Sequence, residues 1–199
     1  MNLEAWNTLA SMATFLVIAA TAIAALVQLR HARRGNSIAA YSDLSEVRDS
    51  AAFAHAQEFV TADLNNLAHN PEFRYQLVHH AARTAEYRES ILAINKVGNY
   101  YESMGAMVKL GLVDKDLVLQ LWWEYILRSW KALEPITAAS RRALGDGLWE
   151  HFEYLAVLSE DWETAHPGGA YPPNTRRFGI QDLFRDEDEA YAASKSAVR

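Results

Sequence analysis

Residues 86–110, "EYRESILAINKVGNYYESMGAMVKL", place Tyr87, Ile91, Ile94, Gly98, Tyr101, Gly105 and Val108 at alternating steps of four and three. That spacing sets all of them on one side of an α-helix and makes a seam for packing. Gly98 and Gly105 lie on the seam two turns apart, and each costs about 1 kcal/mol relative to alanine inside a helix. Close approach of another helix is the expected compensation.

The pattern continues toward the C-terminus. Gly111 followed by Leu112 has the form of a Schellman stop, and Asp114 is placed to cap a next helix running to about Leu133. Within it, "DLVLQLWWEYILRSW" (116–130) is apolar over most of its circumference, which marks a central element. Trp122, Trp123 and Trp130 read as core aromatics at helical spacing rather than as a ligand box. Pro135 is expected to end or kink the run. A further helix is expected from about 147 to 165, and "HPGGAYPPN" (166–174) closes the folded region. From Gln181 onward the tail holds Asp182, Asp186, Glu187, Asp188 and Glu189 against Arg185, Lys195 and Arg199. It is expected to be disordered, or a short docking helix around Ile180, Leu183 and Phe184.

Toward the N-terminus, Asn70 before Pro71 has the order of an N-cap and first-turn proline, opening a helix through Arg83. A helix over 51–67 has Asp49 or Ser50 as its cap. Residues 37–47 either continue the preceding apolar segment or leave it after a break at Gly35-Asn36. No run of alternating β-branched residues lies between turn signals, so the fold class is all-α.

The segment before it has a different character. No residue from Ala5 to Leu29 carries a formal charge, and from Leu9 onward it spans roughly 31 Å as a helix at ~1.5 Å per residue. That matches the hydrocarbon thickness of a bilayer. A secretory signal peptide carries bases before its apolar run, whereas here Arg30, Arg33 and Arg34 follow it and only Glu4 precedes it. A buried helix of a soluble domain is the other alternative to a transmembrane anchor. With an anchor, the positive-inside rule sets Arg30, His31, Arg33 and Arg34 in the cytoplasm and Trp6 at the outer interface. The organisation expected is therefore a transmembrane anchor with a basic cytosolic flank (1–34), a helical cytosolic domain (35–175) and an acidic tail (176–199). The location expected is the bacterial inner membrane, single-pass, N-terminus outside. Ala20/Ala24 and Thr21/Ala25 make small-xxx-small pairs that thin one side of the span and suggest self-association through packing and a Thr21 hydroxyl bond.

The 199 residues carry a formal net charge of −6, and their bases form no aromatic-interleaved stripe, so nucleic acid is not an expected partner. The absence of cysteine excludes disulfides, thiolate metal sites and cysteine nucleophiles. Glu163 and His166 form a Glu-x-x-His pair, the unit that di-iron bundles use twice, but here it occurs once and beside Pro167. His79 and His80 are adjacent, diverge on a helix, and leave at least one exposed. Glu86, Glu89, Glu102 and Glu124 could pair as acid and base, but Arg83 and Arg88 nearby point to a solvated ion network. No serine sits in a G-x-S-x-G elbow and no phosphate-cradling glycine loop follows a strand. No catalytic, cofactor-binding or metal residue is assigned.

The block "NKVGNYYESMGAMVKLGLVDKDLVLQLWW" (95–123), together with the apolar helix ending in bases, resembles a family of uncharacterised bacterial proteins known only as a domain of unknown function. An asparagine, paired aromatics and Glu102 in one helix, then a Gly-Leu-Val-Asp turn into the next, carry the likeness over about Leu9 to Glu160. The resemblance implies a membrane-anchored helical bundle and transfers no site residue.

Two functions are compatible with these features. The first is a non-enzymatic, membrane-tethered interaction or scaffold domain, partnered by the bilayer and by further copies or another membrane protein. The second is a membrane-bound helical enzyme or sensor, in which His55, His69, His79 and His80 converge with carboxylates on a metal. An oligomeric pore has little support, because the span offers no charged residue to line a water path.

Overall fold

The computed structural model describes residues 3–196, and among them no strand occurs. The chain forms two compact units, Met1–Pro167 and Gly168–Arg199. In the first, α1 (Leu3–Asp49) runs without interruption through the apolar segment and on into the bundle. Gly35-Asn36 does not break it. One glycine costs a helix about 1 kcal/mol, and Tyr41, Leu44 and Arg48 downstream must keep a common helical register to meet their partners. Tyr41 stacks on Trp122 with centroids 5.1 Å apart and planes 9° from parallel. The Tyr100 hydroxyl donates to the Leu44 carbonyl at 3.1 Å. The Arg48 guanidinium lies over both Trp122 and Tyr125, at 5.4 and 4.6 Å from the ring centroids. By contrast Ser11–Gln28, long and apolar enough to cross a membrane, is not buried against any other part of the chain. The side chains of residues 29–34, the basic flank, lie outside the described ones.

Ser50 ends α1 and caps α2 (Ala51–Glu58), its hydroxyl accepting the Phe53 N–H at 3.2 Å. A single π turn, Phe59–Asp63, follows, closed by the Leu64 N–H on the Phe59 carbonyl, before α3 (Leu64–Ala68). The expected single helix over 51–67 is thus three segments on one path, with Phe53, Ala56, Val60 and Leu64 all buried. Asn70 caps α4 (Pro71–Val78) as expected, accepting the Glu72 N–H at 2.9 Å. This helix stops five residues before Arg83. The Arg83 guanidinium turns back onto the Gln76 and Leu77 carbonyls, and the buried Gln76 side chain accepts from the Thr84 N–H and hydroxyl, so the last turn is closed from downstream.

The seam helix is α5 (Ala85–Lys109), and every one of its seven seam positions is buried. It ends as a Schellman motif: Leu112 N–H reaches the Met107 carbonyl, Gly111 N–H reaches Val108, and Gly111 has φ +68°. Asp114 Oδ1 then accepts the Leu117 N–H at 2.9 Å and opens α6 (Lys115–Leu144).

Of the two outcomes expected at Pro135, an end to the helix is overturned, because α6 passes through Pro135 and continues another nine residues to Leu144. Pro135 and Lys131, whose carbonyl loses its N–H donor, both lie on the exposed side where water can serve. Ile136, Thr137, Ala139 and Ser140 resume the buried face and outweigh the defect. The last long helix of this unit, α7 (Glu150–Ala165), starts three residues later than expected because Trp149 takes a left-handed conformation. Its Phe152 stacks on Tyr101 and meets Trp130 edge-on, while Phe53 of α2 packs on Tyr100 and Tyr101. Aromatic rings from α2, α5, α6 and α7 therefore meet at the centre of the bundle. Trp123 packs on Trp162 of α7, so all three α6 tryptophans serve packing.

The second unit is an extended stretch leading to α8 (Arg185–Ser196). Arg177 covers the Tyr171 ring and donates to the Gly168 carbonyl. Ile180, Leu183 and Phe184 are strongly exposed, Ile180 at 93 %.

Candidate functional site

The histidines named from the sequence do not gather. His69 Nδ1 bonds the Asn65 carbonyl, His79 Nδ1 bonds the Tyr75 carbonyl with its ring stacked on Tyr75, and His80 is exposed like His79. His166 folds back over Trp162 and bonds its carbonyl at 2.9 Å, which makes it a helix terminus rather than half of a ligand pair with Glu163. Among the described residues, no three His, Asp or Glu side chains stand where they could hold one ion. Glu86 and Glu89 are exposed, and Glu124 pairs with Arg128 in an exposed i,i+4 bridge. Arg83 does not join an ion network with them, being held by the α4 carbonyls.

Glu102 alone meets partners of consequence. A Cβ on Gly105 would lie 2.1 Å from the His151 carbonyl oxygen, and one on Gly98 would lie 2.3 Å from the Trp149 ring, so α5 and α7 touch closely at both glycines. The sequence showed that a helix must approach here, but not which helix. At this crossing the Glu102 carboxylate accepts the backbone N–H groups of His151 and Phe152, at 3.0 and 2.9 Å, and meets His151 Nδ1 at 2.7 Å. A carboxylate at a helix N-terminus is favoured by the macrodipole and satisfies donors that have no intrahelical acceptor. Trp149, the α7 N-cap residue, supplies no such acceptor. Its φ of +53° is strained for a side chain that size, and it is fixed by burial against Gly98 and by its Nε1–H bond to Asn99 Oδ1 at 3.0 Å. With Nδ1–H donated to Glu102, His151 Nε2 is free to accept from Lys109 Nζ at 3.2 Å. All these groups brace one helix crossing. His151, Lys109 and Trp149 carry no sequence signal, since their partners lie more than forty residues away.

A second polar feature crosses the core. Gln57 Nε2 donates to the Tyr101 hydroxyl and to Ser129 Oγ, both at 3.3 Å, tying α2, α5 and α6. Burial raises the Tyr101 phenol above its usual value, and that of Tyr100 likewise, so both stay protonated.

Outside the core, α2, the π turn and the first half of α5 line an open groove of about 620 Å³. Ala52, Ala56, Phe59 and Ala93 form its floor, and Leu92, 60 % exposed, stands at its edge. His55, Glu58, Asp63, Glu89 and Lys96 rim it. It is an open groove rather than an enclosed cavity.

The model of the family described as Domain of unknown function (DUF4760) matches residues 15–162. The chain belongs to that family. The matched DUF4760 stretch opens inside the apolar segment of α1 and ends at Trp162 of α7, so it contains the groove, the Glu102 junction and the Tyr41–Trp122 stack, while 163–199 lie beyond it. Its bounds lie close to those over which the sequence resemblance was drawn. No curated protein and no solved structure matches the chain.

Proposed function

We propose that this DUF4760 chain is a membrane-tethered helical interaction domain, a subunit of a membrane complex whose bundle works at the cytoplasmic face of the bacterial inner membrane. The observation that carries the reading is α1 itself. An apolar segment that the rest of the chain leaves unburied over Ser11–Gln28 continues as the same helix into a bundle that grips it at Tyr41, Leu44 and Arg48. An apolar helix without protein contacts is stable in hydrocarbon, where its backbone is satisfied internally. Arg30, Arg33 and Arg34 after the segment favour an N-out, C-in orientation.

Self-association through Ala20 and Ala24 belongs to the same proposal. The Thr21 hydroxyl donates to the Val17 carbonyl at 2.7 Å, so that face relies on close packing rather than on a hydroxyl donated across helices. Carbonate extraction of membranes, combined with a C-terminal reporter active only outside the cytoplasm, tests anchor and orientation. Retention in the pellet with a silent reporter is expected, and release into the supernatant or a strongly active reporter defeats the reading.

A further inference from the structure

The groove between α2 and α5 has both an apolar floor and a charged rim, and among the described residues no ion pair engages that rim. The Glu102–His151–Lys109 cluster is occupied in bracing α7, and the small residues of α1 have no companion feature. In the groove, the alanines at 52, 56 and 93 keep the floor low, and Phe59 and Leu92 leave apolar surface in water. Glu58, Asp63 and Glu89 outnumber Lys96 on the rim, with His55 as a further polar group, and the whole chain adds a net charge of −6.

An apolar trough under a negative rim complements a segment that carries both apolar side chains and fixed positive charge. The geometry points to the groove as a docking site for a basic, apolar segment of a partner membrane protein, with Lys or Arg against Glu58, Asp63 and Glu89 and aliphatic side chains on Phe59, Leu92 and Ala93. This rests on the cytosolic placement proposed above. Lys and Arg concentrate beside the cytosolic ends of membrane spans, so such segments are presented on the same side of the bilayer as the bundle.

The test uses the full-length chain in nanodiscs of zwitterionic lipid and a fluorescein-labelled peptide of alternating Lys and Leu, read by anisotropy against empty discs. A Glu–Leu peptide of equal length and the small polycation spermine are the controls. The Lys–Leu peptide is expected to bind, to weaken with added salt, and to lose about tenfold in affinity in Glu58→Lys/Glu89→Lys. Glu124→Lys, an exposed change on α6, is expected to leave binding unaltered. Both groove residues are exposed, and matching circular dichroism and melting curves confirm that the variant is folded.

Equal binding of the two peptides, or Lys–Leu binding untouched by the groove charge reversal, overturns the proposal. Spermine binding as tightly as the peptide, and falling with the same reversal, assigns a small-cation site and also overturns it. If the chain fails to enter discs, the membrane reading fails separately, and the same titration in mild detergent still decides the groove.

Discussion

Two long helices of this molecule, α5 and α1, both carry small residues at regular intervals, and they meet opposite fates. In α5, Gly98 and Gly105 are filled by Trp149 and by the backbone at His151, and the seam is wholly buried. In α1, Ala20 and Ala24 face no other part of the chain. A narrow seam with polar flanks specifies a protein partner, because only one side needs shelter from water. A segment apolar on all sides is left unburied by the rest of the chain, and on the membrane reading proposed above hydrocarbon shelters it. The same local device, a missing side chain, is thus consumed within the fold in one helix and left available in the other.

The sharpest way to break this contrast is Gly105→Ala. The new Cβ meets backbone, which cannot swing aside, so α7 must shift, and a loss of about 3 kcal/mol is expected in denaturant unfolding of the full chain. Gly98→Ala meets a ring instead and is expected to lose less, about 1 to 2 kcal/mol. Unfolding midpoints equal to wild type in both would show that the crossing is looser than the structure has it.

Next in size is Glu102→Ala, which leaves the His151 and Phe152 N–H groups without their acceptor and is expected to destabilise by about 2 kcal/mol. Glu102→Gln, which keeps an acceptor without the charge, is expected to lose roughly half of that. Equal losses would show that charge at the α7 N-terminus is immaterial.

The tyrosines give a pH signature. The folded Tyr100 and Tyr101 hold their protons more tightly than an unfolded phenol, whose pKa is 10.0. Above that value the unfolded state releases protons first, so stability is full below about pH 10 and falls as pH climbs beyond it. Tyr100→Phe, at some loss from the missing bond to Leu44, is expected to flatten that fall when unfolding midpoints are followed upward from about pH 9. An identical slope in the variant would place the alkaline sensitivity elsewhere.

For α1 the effects are smaller. Ala24→Ile is expected to reduce crosslinked dimer in membranes, by the equivalent of about 1 kcal/mol, whereas Leu26→Ile leaves it unchanged. Equal crosslinking in all three proteins would make the thin face incidental. Smallest of all is truncation after Gln181, which removes exposed Leu183 and Phe184 and is expected to change the melting temperature by no more than about 1 °C. A large drop would make the tail part of the core.

What the sequence made legible was local or periodic. The α5 seam, the Asn70-Pro71 start, the Schellman turn at Gly111 and the Asp114 cap each depend on residues within a few positions of one another. The corrections came where distant packing overrode local chemistry. Pro135 sits inside α6 because the buried face resumes at Ile136; at Gly35, where the sequence left a continuation and a break both open, the continuation holds and lets Tyr41 and Arg48 reach Trp122 in one helical register. At the candidate site the failure was of another kind. Glu102 was read as one carboxylate among four, since nothing near it announces that a helix some fifty residues later starts on its oxygens. The groove was equally hidden, because its lining comes from α2, the π turn and α5, which lie some thirty residues apart in the chain.

The aromatic grip on α1 has a mechanical consequence. Between Gln28 and Tyr41 the chain is a rod about 20 Å long at ~1.5 Å per residue, without a joint. A rod of this kind transmits twist and tilt where a flexible linker would absorb them. In the membrane-tethered reading proposed above, when the span leans to suit a thinner bilayer or turns against a neighbouring span, the Tyr41 ring and the Arg48 guanidinium must slide across Trp122 and Tyr125, or carry α6 with them. In that reading the bundle is coupled to the thickness and lateral company of the membrane, with no soluble messenger required between the two.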